Sequence, residues 1–151
     1  MYFDKELFLF HQRFESQRDL FGSMAHELED AGCVKSTYLN GIIEREKQFP
    51  TGLLINGVGI AMPHTDSVHV NSSQACFASL AQPIVFEDMG DRDHKIEVEL
   101  VFMLAMAQPH EQVEALQNLI ALFQDEAAVA AMKRCDTAEE LDLILKRAKL
   151  A

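Results

Sequence analysis

A chain of 151 residues with 24 acidic and 13 basic side chains carries a formal charge of −11, and 48% of it is hydrophobic. That is material for one compact domain with its own core, and it excludes both a disordered polymer and a disulfide-stapled mini-protein. The acidic excess argues against nucleic acid or anionic lipid as partners, because both need phosphates neutralised by surplus Lys and Arg. Cys33, Cys76 and Cys135 show no CxxC spacing and read as reduced packing residues. The N-terminus lacks the basic start and apolar run of a signal peptide, and no stretch approaches the roughly 20 apolar residues of a membrane span. A cytoplasmic protein with no membrane insertion is expected.

The chain reads as a single domain, 1–151, with no element assigned in residues 1–15. Helical spacing begins near Ser16, where Leu20, Phe21, Met24, Ala25 and Leu28 recur three and four apart, and Gly32 supplies a left-handed stop. A second helix is expected at 36–48, capped by Ser36 or Thr37, striped by Leu39, Ile42 and Ile43, and ended by Pro50. From Thr51 to Met62 the helical period is lost, and glycines alternate with aliphatic residues as in two short strands.

A buried strand is expected at 75–81. Pro83 interrupts it, with Ile84 to Phe86 continuing as an edge strand before a polar loop at 88–93. Residues 95–104 give the plainest strand: Ile96, Val98, Leu100, Phe102 and Leu104 alternate with charged residues at first, and Val101 and Met103 then fill the second face. Pro109 suits the first turn of a helix striped by Val113, Leu116, Leu119, Ile120 and Phe123. Asp125 can cap a short helix through Met132, and Thr137 with Glu140 has capping-box spacing before a last one. Helices, clustered strands and then helices predict an α/β or α+β fold, a mixed sheet flanked by helices.

Dinucleotide, Walker and nucleophile-elbow signatures are all missing, so nucleotide chemistry is disfavoured. The feature that carries chemistry is Gly59-Ile60-Ala61-Met62-Pro63-His64, a small apolar strand ending in a proline that stiffens the backbone before an imidazole. Free imidazole titrates near about 6.5, so at neutral pH it is a nucleophile that needs no strong base. Reversible phosphoryl carriage asks for such a nitrogen together with donors for the phosphoryl oxygens. His110, at the expected start of the long helix, and Arg45, on the second helix, are candidates for those donors. A competing reading takes His64, Asp66 and His69 as the ligands of a metal-dependent hydrolase.

The run from Arg45-Glu46 through Phe49-Pro50-Thr51-Gly52 to Met62-Pro63-His64, with Pro109-His110 and the Leu116-to-Phe123 helix, resembles the type-2 (fructose/mannitol) EIIA domains of the phosphoenolpyruvate-dependent sugar phosphotransferase system. The spacing of Glu46 from Phe49-Pro50-Thr51-Gly52 and the loop before Gly59 are most similar to the galactitol-type branch. The resemblance implies an EIIA-type sandwich fold and a phosphohistidine at His64, with His110 and Arg45 stabilising the phosphate. It implies phospho-HPr as donor, a cysteine of EIIB as acceptor, uptake of galactitol or a related polyol or sugar, and no cofactor or metal. A regulatory EIIA-like module that senses phosphorylation, as in the nitrogen-related branch, is the alternative. Since the chain ends soon after its last expected helix, a free-standing carrier or signalling domain is expected.

Overall fold

The computed structural model describes residues 2–150, so Met1 and Ala151, the ends of the expected domain, lie outside the described residues. Among the described residues a five-stranded mixed sheet forms the middle layer, with strand order β1-β4-β5-β3-β2. The strands are β1 (Phe8–Gln12), β2 (Gly52–Ile55), β3 (Val58–Ala61), β4 (Gln74–Glu87) and β5 (Lys95–Ala105). β1 runs parallel to β4 and β3 parallel to β5, whereas β4–β5 and β2–β3 are antiparallel. Helices α1 (Gln17–Asp30) and α2 (Tyr38–Gln48) cover one face, and α3 (Pro109–Phe123), α4 (Glu126–Arg134) and α5 (Ala138–Arg147) cover the other. The expected α/β sheet flanked by helices is therefore the observed fold. No helix among the described residues is long and apolar enough to cross a membrane.

The capping signals act as expected, but the buried face of α3 is Ala115, Leu119, Leu122 and Phe123, and the expected stripe residues Val113 and Ile120 are exposed. Ser16 accepts from the Asp19 amide at the start of α1, whose Leu20, Phe21, Met24, Ala25 and Leu28 are buried, and Gly32 beyond its end has φ +79°. Asp125 caps α4 through the Ala128 amide, and Thr137 with Glu140 forms the capping box of α5. Thr37 is the exception: it occupies the cap position of α2, but its hydroxyl is bonded to the His69 ring at 2.8 Å instead of to the helix.

Three further expectations need correction. Residues 1–15 contain strand β1, and Tyr2 and Phe3 are buried in the core. β1 is legible only through its partner, because it adds to the free side of β4 by parallel pairing and has no hairpin to announce it. β4 is not broken at Pro83 but runs through it, with the ladder to β5 irregular between Ser79 and Ile84, where the missing proline N–H costs no ladder bond. β1 stops at Leu80, so Ile84–Phe86 border β5 alone and keep the expected edge character.

The third correction concerns the alternating row of β5. Ile96 and Val98 face α1 and α2, but Leu100, Phe102 and Leu104 face α3 to α5. Gly59 pairs with Val98 and Ile60 with Leu100, so Glu99 is the extra residue of a bulge that turns the pleat over. An even-numbered row cannot report such a flip, since the same alternation continues on either side of it.

Beside that bulge β3 lies so near β5 that a Cβ on Gly59 would collide with the Glu97 carbonyl oxygen. β3 can therefore lie against β5 only with glycine at this position. Gly59→Ala is expected to lower the free energy of unfolding by about 1–3 kcal/mol, measured by urea denaturation, with loosening of the segment that β3 feeds.

A candidate phosphoryl-transfer site

β3 ends at Ala61, and the chain continues along β5 for three more residues. Met62 is fully buried, the Pro63 carbonyl accepts from the Leu104 amide at 2.9 Å, and His64 bridges Leu104 in the parallel sense. The Leu104 carbonyl is taken by the Tyr38 hydroxyl at 2.7 Å. One residue at the end of β5 thus fastens both the segment before His64 and the first turn of α2.

His64 is half-buried, and its Nδ1 lies 2.7 Å from the Met62 carbonyl oxygen. A carbonyl can only accept, so Nδ1 carries the proton and Nε2 holds the lone pair. Burial pushes the proton affinity of the ring below the ordinary histidine value. The Met62 carbonyl opposes that shift, the nearby Arg45 charge adds to it, and the Asp66 carboxylate opposes it. The outcome is a neutral imidazole with a defined nucleophilic nitrogen at neutral pH.

Arg45 reaches the same region from the last turn of α2. Its Nη1 lies 3.3 Å from Asp66 Oδ1, its guanidinium carbon sits 4.7 Å over the Phe49 ring, and its Nε is buried without an acceptor. An open cleft of about 440 Å³ lies here, lined by Thr37, Gly41, Arg45, Thr65, Asp66 and His69. Gly41 lets α2 close on this loop, since a Cβ there would come within 3.0 Å of Thr65 Oγ1 and 3.1 Å of the His69 ring.

Glu46 points the other way. It is 7% exposed, and its two carboxylate oxygens accept from the Thr51 amide and the Thr51 hydroxyl, each at 2.8 Å. This clamp closes the turn that carries Phe49, the ring on which Arg45 stacks. Burial raises the Glu46 carboxyl to about 7, against the Thr51 hydrogen bonds that favour its ionised form and with a smaller push from the Glu87 charge.

His110 stands exposed in the first turn of α3, right after Pro109. Glu111 fixes the helix start, with its Oε1 accepting from the Gln108 amide at 3.2 Å and from the Ser73 hydroxyl at 2.8 Å. Gln112, one turn residue further, donates to the Thr65 carbonyl at 3.1 Å, so the start of α3 is tied to the loop that follows His64. No hydrogen bond or ion pair joins His110 to His64 or Arg45 among the described residues.

The structure thus pairs Arg45 with Asp66, both of whose charges act on His64, and brings the first turn of α3 to the loop that follows His64. It does not assemble His64, Asp66 and His69 as a metal-binding trio. His64 Nδ1 is taken by Met62, Asp66 turns to Arg45, His69 Nδ1 is bonded to Thr37, and no three-residue His/Cys/Asp/Glu group able to hold a metal occurs among the described residues. Asp66 as the partner of Arg45, the Glu46–Thr51 clamp and Gln112 were not foreseen from the sequence. Of these only the clamp had a local signal, a carboxylate five residues before a threonine with Pro50 between them.

The family model described as "phosphoenolpyruvate-dependent sugar phosphotransferase system, EIIA 2" matches residues 1–148. The chain belongs to the type-2 EIIA family of that system. Among relatives, the galactitol-specific EIIA component of Escherichia coli (strain K12) is 28% identical over 111 residues, 74% of this chain and 73% of that protein. The ascorbate-specific EIIA component of Salmonella typhimurium is also 28% identical, over 116 residues, 76% of this chain and 73% of that protein. The fold matches a PTS IIA protein (PtxA) of Streptococcus mutans with a TM-score of 0.80 at 23% identity, over 97% of this chain and 90% of that one. It matches enzyme IIAMtl of Escherichia coli, solved in complex with phosphorylated enzyme IIBMtl, with a TM-score of 0.77 at 21% identity, over 93% and 94%. This EIIA-family chain therefore has the architecture its sequence resemblance implied.

Two measurements check the electrostatics. In an NMR titration His64 is expected to protonate below the ordinary histidine range, and Arg45→Gln is expected to raise its pKa, since a repelling positive charge is removed. For Glu46 the folded pKa lies above the unfolded one, so its contribution to stability is complete below about pH 4.5 and is lost as pH rises through about 7. Glu46→Gln is expected to flatten the fall in denaturation midpoint across that interval.

Proposed function

We propose that this EIIA protein is a phosphocarrier that accepts a phosphoryl group from phospho-HPr on Nε2 of His64 and passes it to a cysteine of an EIIB, for uptake of galactitol or a related polyol or sugar. The observation that carries this reading is the bond from His64 Nδ1 to the Met62 carbonyl, which leaves Nε2 as an unprotonated nucleophile on a rigid strand end. The complex of enzyme IIAMtl with phosphorylated enzyme IIBMtl supports the choice of an EIIB as acceptor. The galactitol relative supports the polyol, while the ascorbate relative of equal identity widens the substrate class.

In the first transfer the Nε2 lone pair forms a bond to phosphorus as the P–N bond of the donor breaks. The electron pair returns to the donor imidazole. In the second, a cysteine thiolate forms the S–P bond and the electron pair of the breaking P–N bond returns to His64 Nε2. The protein's part is alignment and charge stabilisation, without metal or cofactor. Arg45 offers guanidinium donors to the phosphoryl oxygens, and His110 stands at the positive end of α3, where an anion is favoured. The −11 charge does not oppose this, because a single phosphoryl group is held by local donors.

Incubation with phosphoenolpyruvate, Enzyme I and HPr is expected to give an acid-labile phosphoryl group on the wild type and none on His64→Ala. A wild type that stays unlabelled overturns the carrier reading. His110→Ala is expected to remain folded by circular dichroism and to transfer more slowly, by about 10-fold or more, if His110 contributes to charge stabilisation at the scale of a preorganised donor. Chasing the label onto the EIIB encoded with this chain distinguishes transport from a purely regulatory role.

A further inference from the structure

The contact between Arg45 and Asp66 has the character of an exchangeable partner. It is a single 3.3 Å approach between Nη1 and Oδ1, and the two side chains are 34% and 71% exposed. Pairs this open contribute little to stability. Arginine has five N–H donors arranged to grip a planar or tetrahedral oxyanion at two points. Here Asp66 engages one nitrogen, Phe49 covers a face, and the buried Nε has no acceptor at all. The guanidinium is held in place with donor capacity left unfilled.

The Asp66 side chain in turn makes no other hydrogen bond or ion pair among the described residues. It sits at the cap of the short 3-10 turn Ser67–His69 without a side-chain capping bond, and Arg45 is the side chain's partner. It lies two residues beyond His64, on the segment whose Thr65 carbonyl is tied to α3. Its charge and that of Arg45 already act on His64 in opposite senses.

We propose that Asp66 is a resident counter-anion: in the unloaded protein it occupies the guanidinium of Arg45 that a phosphoryl group on His64 would use, and it is displaced when that group arrives. The proposal rests on the reading of His64 as phosphoryl acceptor and assigns this chain a residue that sets how tightly the phosphoryl group is kept. A phosphoryl dianion near His64 competes with the carboxylate for Arg45. Asp66 thereby lowers the stability of the loaded state and favours onward transfer. No bond to phosphorus involves Asp66, so it acts as a positioning residue through Arg45.

The test is the equilibrium between phospho-HPr and this protein, measured for the wild type, Asp66→Asn, Arg45→Gln and the double variant. Asp66→Asn is expected to shift the equilibrium toward the phosphorylated protein by about 1.5- to fivefold, the scale of an exposed ion pair, and to slow loss of the group to an acceptor thiol. The His64 pKa of the unloaded variant, read by NMR, is expected to fall, whereas a merely structural role would leave it in place. In the Arg45→Gln background the Asp66→Asn shift of the phosphoryl equilibrium is expected to vanish. A wild type that phosphorylates on His64 while Asp66→Asn leaves both the equilibrium and the pKa unchanged overturns the proposal. So does an equilibrium shift that persists without Arg45, which would mean direct repulsion. A wild type that takes no phosphoryl group on His64 removes the carrier reading and the proposal together.

Discussion

Everything chemical in this protein hangs on the end of β5. Leu104 there uses both of its backbone groups across element boundaries, its amide to the Pro63 carbonyl and its carbonyl to the Tyr38 hydroxyl. Parallel pairing extends in this way past the formal end of β3 and carries the chain to His64 in a defined direction. Because Met62 is buried and Pro63 restricts its neighbour, the imidazole meets the Met62 carbonyl and its tautomer is settled by the backbone. The same junction holds α2, so the arginine on that helix and the histidine at the strand end share one support.

The electrostatics around that support are local. The chain as a whole is strongly acidic, yet the half-buried imidazole is kept neutral mainly by loss of solvent and secondarily by a guanidinium. Arg45 is not engulfed by carboxylates: its neighbour Glu46 faces the interior and is occupied with Thr51, while Asp66 touches the guanidinium once from the solvent side. Consecutive residues on a helix point about 100° apart, which lets 45 and 46 serve opposite faces of α2. One belongs to the site and the other closes the turn under Phe49. A neutral nucleophile and an underused cation on one support are what a short-lived anionic group requires.

Much of the architecture was legible because it is written in local patterns. Ser16, Asp125 and the Thr137–Glu140 pair cap the helices that their spacing announces, and the stripe on α1 is the face that is buried, whereas on α3 Leu119 and Phe123 are buried but Val113 and Ile120 are exposed. Where reading failed, a partner element was the missing information. β1 exists because β4 has a free side to add to, and β4 survives Pro83 because the ladder to β5 is already irregular there. The bulge at Glu99 turns a uniform alternating row into two sets that serve different cores. Thr37 spends its hydroxyl on His69, which lies 32 residues further along the chain.

The sequence by itself determined the helix ends, the apolar strands, the His64 motif and the family resemblance that the family match supports. Those features depend on neighbours a few residues away, where capping geometry and hydrophobic period decide the outcome. Tertiary structure alone decided that Asp66 answers Arg45 and does not join His64 and His69 around a metal, and that Gln112 ties α3 to the Thr65 carbonyl. Each is a hydrogen bond or ion pair whose partner depends on how separate segments fold against one another. Which acceptor a donor meets depends on how sheet and helices close on each other, and local sequence does not encode that closure.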